Sequence, residues 1–263
     1  MDLQTLCNQV CELSRKTGKF ILEEKNKISA DIIENKGMHD FVTYVDKTSE
    51  KLIIEGLRSY FPEAGFLAEE NTVSQTNSEY TWVIDPLDGT TNYIHGLDPF
   101  ATSIALMRGN EILLGVVYVI SNDECFYAWK DSKAYLNGKE ITVSKRKTIL
   151  DSLIAIGFPY YDYERIEAFL KSVDHFCHKS HGVRRLGSAA TDLAYVACGR
   201  FEAFYEYSLH PWDVAAGAII VKQAGGEICD FKGGNDFVFG KEIIATNNFV
   251  FTEFVDLVKK FMN

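Results

Sequence analysis

The stretch from Trp82 to Thr91 constrains the fold of this chain more than any other, because an apolar run ends there in two closely spaced aspartates. The side chains from Trp82 to Ile84 are bulky or branched, as in a buried strand, and Pro86 cannot donate to a β-ladder. The pattern therefore predicts a strand that stops at Pro86 and leaves Asp85 and Asp88 at its end.

The residues that follow favour a ligand site at this strand end. Gly89 lets a backbone approach a ligand closely, and Thr90 or Thr91 is expected to cap a helix whose first N–H groups point toward the same place. Two acids beside a helix N-terminus are typical of a site where cations meet a phosphate. Asp, Pro and Gly also dominate ordinary turns, so the motif by itself leaves a plain turn as the alternative. An EF-hand loop is excluded, because Gly89 at its sixth position would place Ile84 at the first.

Two later segments share a family pattern with this motif: His210–Gly217, which reads HPWDVAAG, and Gln223–Gly226, which reads QAGG. Together with Trp82–Thr91 they resemble the signatures of the inositol monophosphatase family, and the resemblance covers nearly the whole chain. It implies a layered αβαβα sugar-phosphatase fold. It also implies a Mg²⁺-dependent, lithium-sensitive phosphomonoesterase that forms a homodimer.

Hydrophobic patterns along the chain predict two halves of different architecture. Alternating apolar stretches at 101–107, 112–120 and 124–129 indicate a meander of antiparallel strands, which follows a long amphipathic N-terminal helix. A polar, basic stretch at 144–148 precedes alternating strand and helix patterns. We therefore predict an α+β N-terminal half over residues 1–147 and an α/β C-terminal half over 148–263.

Composition limits the classes of partner. A formal net charge of −10 argues against a nucleic-acid backbone or an anionic membrane as the main partner. A phosphate substrate would also be repelled, so bound cations are expected to supply local positive charge. The six cysteines are scattered and contain no CxxC pair, which favours reduced thiols in a cytoplasmic protein. The sequence shows no signal-peptide pattern and no apolar run long enough to span a membrane.

The family resemblance implies a ligand set for two or three Mg²⁺ ions. One ion would be held by Glu69, Asp85 and the Leu87 carbonyl, a second by Asp85, Asp88 and Asp213, and a weaker third near Glu69. Hard oxygen ligands without His or Cys select Mg²⁺ over Zn²⁺. Ala68 departs from the family, which usually has Gly before the first metal-binding glutamate. Without the resemblance, Asp213 is simply an acid in the first turn of a helix.

The same resemblance implies the catalytic roles. Thr90, hydrogen-bonded to Asp46, would orient or deprotonate a water bound to metal, and Glu69 would be both a metal ligand and a catalytic residue. The backbone N–H groups of Gly89 and Thr90 would receive the phosphate, and Lys36 matches a lysine of the family's basic loop. Taken alone, Lys36 and Asp46 would be a surface residue and a helix cap.

Substrate choice is left open between several phosphate esters. Glu206 matches a family carboxylate that accepts hydrogen bonds from polyol hydroxyls, and the backbone near Ala189 together with Asp213 completes the implied contacts. These favour a phosphorylated polyol or sugar, with inositol monophosphate first. Arg184 and Arg185 would bind a second phosphate or lie at a dimer surface. The alternatives are fructose 1,6-bisphosphate, a 3′,5′-bisphosphate nucleotide and histidinol phosphate, or a regulatory interaction protein that has kept the fold.

Overall fold

The computed structural model describes residues 1–25, 27, 34–37, 40–72, 78–160 and 162–262, with the backbone alone for 34–37 and 40–42. Within these residues the chain forms seven α-helices and fourteen strands. The helices are α1 (Leu3–Lys25), α2 (Tyr44–Tyr60), α3 (Thr90–Ile94), α4 (Ile166–Lys179), α5 (Ala189–Ala197), α6 (Pro211–Gln223) and α7 (Phe251–Met262). None of the helices in the described ranges has the length and apolar character needed to cross a bilayer.

The first large sheet has seven strands and is built mostly as an antiparallel meander. Its order is β3 (Gly65–Ala68), β4 (Tyr80–Asp88), β5 (Ala101–Arg108), β6 (Glu111–Val119), β7 (Glu124–Trp129), β8 (Ala134–Leu136) and β9 (Lys139–Ile141). All neighbours pair antiparallel except β3 and β4, which run parallel. Asn137 and Gly138, a residue pair that favours hairpin turns, both have positive φ and join β8 to β9. A separate pair, β1 (Glu34–Gly37) and β2 (Asp40–Val42), precedes α2.

The second sheet has five strands of mixed direction. Its members are β10 (Leu153–Ile156), β11 (Gly182–Arg184), β12 (Ala203–Tyr207), β13 (Gly226–Cys229) and β14 (Glu242–Asn247). The order is β11-β10-β12-β14-β13, in which β10 runs parallel to β11 and β12 while β14 is antiparallel to its neighbours. The parallel pairs come from strand-helix-strand connections, as the alternating pattern predicts.

Five layers result from the way each sheet buries both faces. Helices α1 and α2 cover the outer face of the first sheet, α5 and α6 lie between the sheets, and α4 and α7 cover the second sheet. Strand β4 shows why both faces are apolar: Trp82 and Ile84 enter the outer core, whereas Val83 enters the central one. The αβαβα architecture expected from the sequence is therefore confirmed.

The proposed division at residue 147 separates the two large sheets, but it does not separate the hydrophobic core into two parts. Strands of the first sheet end at Ile141 and those of the second begin at Leu153. The central core nevertheless mixes side chains from both, because α5 and α6 fill the space between the sheets. The division into two domains stays a prediction.

Three local expectations are wrong. Strand β4 does not stop at Pro86 but continues to Asp88, and its pairing shifts by one residue between Asp85 and Asp88. Such a bulge accommodates a residue that cannot donate to the ladder. Helix α3 is capped by Gly89, with φ of 89°, and not by a threonine side chain. The sequence from Gly182 to Ala190 also predicts a loop that enters a helix, but its first part, Gly182–Arg184, is an edge strand.

Two expectations fall on parts that are described incompletely. Lys36 lies in strand β1, but its side chain is outside the described residues, so its loop role stays a prediction. Residues 72–80 are rich in Ser, Thr, Asn and Gln, which predicts an exposed loop, but residues 73–77 are also outside the described residues.

Candidate active site

One pocket gathers most of the candidate residues, from both halves of the chain. The predicted residues that line it are Glu69, Asp85, Leu87, Asp88, Gly89, Thr90, Ala189, Glu206 and Asp213. Asp46 is not among the lining residues, but it reaches the pocket through Thr90. We call Glu69, Asp85, Asp88 and Asp213 the acidic cluster.

The bulge in β4 shapes the turn that carries two acids of this cluster. Asp85 Oδ1 accepts a hydrogen bond from the Leu87 backbone N–H at 2.9 Å, which closes a tight local turn. Gly89 follows in the left-handed region, and an added Cβ would lie 3.1 Å from the Pro99 carbonyl oxygen and 3.3 Å from that of Gly187. Only glycine fits this position without strain, so the backbone here stays open to the pocket.

Asp88 links the two halves of the chain. Its Oδ2 accepts hydrogen bonds from the Ser188 hydroxyl at 2.6 Å and from the Ala190 backbone N–H at 2.8 Å. Ser188 is the N-cap of α5, so the carboxylate lies against the first turn of that helix. The Ser188 hydroxyl and the N–H groups at the start of α5 together fix the orientation of the Asp88 carboxylate.

Thr90 lies between a buried acid and a backbone carbonyl. Its hydroxyl is 3.1 Å from Asp46 Oδ1 and 2.8 Å from the Leu87 carbonyl oxygen, and its single proton is donated to one of these at a time. Asp46 is 1% exposed, and its other oxygen accepts from the backbone and the hydroxyl of Thr43 at 2.8 and 2.6 Å. Asp46 is therefore both the acid that completes the capping box of α2, whose N-cap is Thr43, and the hydrogen-bond partner of Thr90.

Glu69 and Asp213 complete the cluster from two other elements. Glu69 follows β3, and its backbone N–H donates to the Ile84 carbonyl at 3.2 Å, which places it beside Asp85. Asp213 lies in the first turn of α6 and accepts from the His210 N–H at 2.7 Å. The Ser103 hydroxyl donates to the Trp212 carbonyl at 2.9 Å and ties this turn to the first sheet.

Burial and mutual repulsion together raise pKa values in the acidic cluster, with burial the larger cause. Burial raises the pKa of Asp85 well above its usual value, and the charges of Glu69, Asp88 and Asp213 raise it further. Burial raises the pKa of Asp88 to about 6, against the opposing effect of its hydrogen bonds from Ser188 and Ala190. Burial and the charge of Asp88 raise the pKa of Asp213 to about 8. Several buried carboxylates without a cation are unfavourable, and a bound divalent cation would relieve the repulsion.

The donor set fits a hard cation, although the side chains do not form a finished coordination site. Carboxylate oxygens and the Leu87 carbonyl are the donor types that Mg²⁺ prefers. Over the described part of the chain, no three His, Cys, Asp or Glu side chains already converge with the geometry of a metal site. The individual ligands are therefore a proposal.

The rest of the pocket carries mixed charge. Glu206, on β12, is 6% exposed, and burial followed by the charge of Asp213 raises its pKa well above the usual value. Arg185 lines the same pocket and donates to the Tyr160 hydroxyl at 2.6 Å. Gly157 is packed against Glu206, since an added Cβ would lie 1.9 Å from its carboxyl carbon. We call Tyr160, Arg185 and Glu206 the mixed cluster.

Arg184 and Arg185 differ in position although they are consecutive, because β11 ends between them. Arg184 ends β11, is exposed, and donates to the Val183 carbonyl at 2.9 Å, whereas Arg185 lines the pocket. Sequence reasoning did not identify Ser188 or Tyr160. Ser188 could have been found as a serine directly before the helix pattern at Ala189, whereas no sequence signal marks Tyr160.

Comparison with known proteins gives a single family. The sequence model of the inositol monophosphatase family matches residues 2–260. An inositol-1-monophosphatase from Mesorhizobium japonicum is 35% identical over 99% of this chain and 98% of its own length. The Nus factor SuhB of Pseudomonas aeruginosa is 37% identical over 93% of this chain and 92% of its own. The crystal structure of the extragenic suppressor protein suhB from Bartonella henselae superposes with a TM-score of 0.91 at 36% identity, covering 96% of this chain and 98% of that one.

Proposed function

Since the chain belongs to the inositol monophosphatase family, we propose that it is a Mg²⁺-dependent phosphatase that hydrolyses an inositol monophosphate to inositol and phosphate. The observation that carries the proposal is the pocket itself, which brings Glu69, Asp85, Asp88 and Asp213 together with Thr90. Their chemistry suits a phosphate monoester whose negative charge must be neutralised by cations in an acidic protein.

We assign the acidic cluster and the Leu87 carbonyl as ligands of two or three Mg²⁺ ions. When bound, such ions lower the pKa of a coordinated water, neutralise phosphate oxygens and stabilise the leaving alkoxide. Asp85 would be shared between ions, because it lies beside Glu69 and is also influenced by the charges of Asp88 and Asp213. The hydrogen bonds from Ser188 and Ala190 hold Oδ2 of Asp88, and we assign the other oxygen to a cation.

Thr90 and Asp46 would handle the proton of the attacking water. When the Thr90 hydroxyl donates to Asp46, the lone pairs of its oxygen can accept from a water in the pocket. Asp46 is held by Thr43 and is buried, so its second oxygen stays in place to accept from Thr90. We propose Thr90, Asp46 and Glu69 as the catalytic residues, without a covalent nucleophile.

The substrate would lie between the two clusters. Gly89 and Thr90 would receive the phosphate, since the backbone at Gly89 is open to the pocket. Glu206, together with Ala189 and Asp213, would accept or order the hydroxyl groups of the polyol. A carboxylate at Glu206 favours hydroxyl donors over a second phosphate.

One observation favours a second candidate, a phosphatase for bisphosphates. Arg185 is a cation in the pocket, supported by Tyr160, and a guanidinium binds phosphate through two parallel hydrogen bonds. Fructose 1,6-bisphosphate or a 3′,5′-bisphosphate nucleotide would use it, and histidinol phosphate is a further family substrate. Glu206 beside the same pocket argues for the monophosphate.

We also propose a cytoplasmic homodimer whose main partner is the small phosphorylated substrate, with no direct contact to nucleic acid or membrane. The relative from Pseudomonas aeruginosa is named a Nus factor, which makes a regulatory role with a protein partner the alternative of another class. An intact acidic cluster is not needed for such a role, and it favours the enzyme.

A phosphate-release screen with Mg²⁺ tests the substrate. We expect the highest kcat/KM for inositol 1-phosphate among inositol 1-phosphate, fructose 1,6-bisphosphate, a 3′,5′-bisphosphate nucleotide and histidinol phosphate. Excess Ca²⁺ should inhibit because its longer bonds and looser geometry misplace the water, and Li⁺ should inhibit as the family suggests. No release from any of these esters would favour the regulatory alternative.

A further inference from the structure

Glu50 is a buried acid that the proposed reaction does not use. It lies on α2 and is 0% exposed. Its Oε2 accepts from the Glu70 backbone N–H at 2.7 Å, and its Oε1 accepts from the backbone N–H and the hydroxyl of Thr72 at 2.7 and 2.6 Å. All three donors lie within three residues after Glu69, the residue that the proposed function makes a metal ligand.

The turn that follows β3 is therefore held from two sides. On one side the Glu69 N–H donates to the Ile84 carbonyl of β4, the residue before Asp85. On the other side Glu50 binds the next donors along the chain. Because the strand ends at Ala68, these contacts fix the direction in which the Glu69 side chain leaves the backbone.

We propose that Glu50 is a positioning residue for the cation site: it holds the turn 69–72 so that Glu69 stays beside Asp85, and it thereby sets the affinity for the divalent cation that these two acids share. The inference rests on the proposed function. It adds a residue outside the pocket that acts only through Glu69.

The chemistry of the side chain explains why a carboxylate is required. Both oxygens of Glu50 only accept, so one side chain can bind three donors at once. A glutamine of the same shape would turn an N–H₂ group toward Glu70 or toward Thr72, and one or two of the bonds would be lost. A buried donor facing another donor also carries a desolvation cost, so the turn would move away from α2.

The experiment compares two buried glutamates. In Glu50→Gln the turn is released, whereas Glu202→Gln is the matched control: Glu202 is 2% exposed and accepts the Leu153 N–H at 2.6 Å in the second sheet, outside the pocket. Calorimetric titration with Mn²⁺ measures cation affinity without turnover. We expect Glu50→Gln to weaken the tightest cation site about 10- to 100-fold, with kcat at saturating Mg²⁺ changed less than about threefold. Glu202→Gln should lower the melting temperature and keep the wild-type affinity.

A second variant covers the case in which Glu50→Gln does not fold. Thr72→Val removes only the hydroxyl bond to Glu50, and we expect it to weaken Mn²⁺ binding about threefold. Affinities equal to wild type in the folded variants would overturn the inference and leave Glu50 a purely structural link. If the wild-type protein itself binds no divalent cation, the proposed function fails and the inference fails with it. Wild-type binding together with unchanged variants overturns the inference alone.

Discussion

In the acidic cluster, donors from the protein hold three of the carboxylates: Asp85 binds the Leu87 N–H, Asp88 binds Ser188 and Ala190, and Asp213 binds the His210 N–H. In the mixed cluster, the hydrogen bond joins two long side chains, Arg185 and Tyr160. Backbone donors are fixed by the fold, whereas long side chains change rotamer at small cost. The fold thus sets the orientation of three acids in the acidic cluster, and we expect the mixed cluster to be the part that changes with the substrate.

The largest expected effect breaks the acidic cluster. Asp88→Asn should reduce kcat/KM at least about a hundredfold for every phosphate ester, since losing one anionic ligand weakens a cation that stabilises the reacting group, and loss of such stabilisation costs about 3 kcal/mol or more. Asp230→Asn is the control, because Asp230 accepts backbone N–H groups of the 232–234 turn and does not line the pocket. A wild-type rate for Asp88→Asn at saturating Mg²⁺ would remove Asp88 from the ligand set.

Changing the mixed cluster should alter selectivity instead. Glu206→Gln is expected to lower kcat/KM for inositol 1-phosphate about 5- to 150-fold, which corresponds to 1–3 kcal/mol, because hydroxyl donors lose a charged acceptor. Fructose 1,6-bisphosphate should lose less or gain. Measuring kcat/KM on both esters tests whether Glu206 selects polyols. A larger loss of kcat/KM for the bisphosphate would show that it does not.

Removing cations should expose the repulsion in the acidic cluster as pH-dependent stability. The pKa values of Asp88 and Asp213 are raised to about 6 and about 8, so the folded protein binds more protons than the unfolded chain above the unfolded value of 3.8. The stability that Asp88 and Asp213 contribute to the folded protein is fully present below pH 3.8, and it is lost as pH rises through about 6 and then about 8. In a chelator the melting temperature should therefore fall between pH 5 and pH 8.5, by a few degrees for each kcal/mol.

Added Mg²⁺ provides the control for this pH dependence. A cation that binds only the folded protein stabilises it by mass action, and it binds ionised carboxylates best. The increase in melting temperature on adding Mg²⁺ should be larger at pH 8.5 than at pH 5. An equal increase at both values would mean that the cation binds elsewhere.

The smallest effect separates two neighbouring arginines. Arg184→Gln should leave kcat/KM within about twofold for all esters, because an exposed side chain outside the pocket contributes little. Arg185→Gln should lower kcat/KM for the bisphosphate about tenfold more than for inositol 1-phosphate, through loss of a charged phosphate contact. Equal behaviour of the two variants would exclude Arg185 as a specificity residue.

The sequence predicts the acidic cluster better than the mixed one, and the reason is local. Asp85, Asp88 and Gly89 lie within one short motif, which together with the family resemblance predicts a shared site. The bulge at Pro86 was missed because a proline inside a strand is tolerated only where the partner strand allows a register shift, which is a tertiary property. The contacts of Asp88 with Ser188 and of Glu50 with Thr72 join residues far apart in the chain, and no local pattern reports such pairs.

The dependence of phosphate release on Mg²⁺ tests the central claim most directly. The wild-type protein, treated with EDTA and then titrated with Mg²⁺, is assayed with inositol 1-phosphate at constant ionic strength. We expect release in EDTA below roughly 1% of the rate at saturating Mg²⁺, and full recovery as the cation is added, because the carboxylates alone cannot activate water or neutralise the phosphate. Undiminished release in EDTA would contradict a cation-based reaction at the acidic cluster.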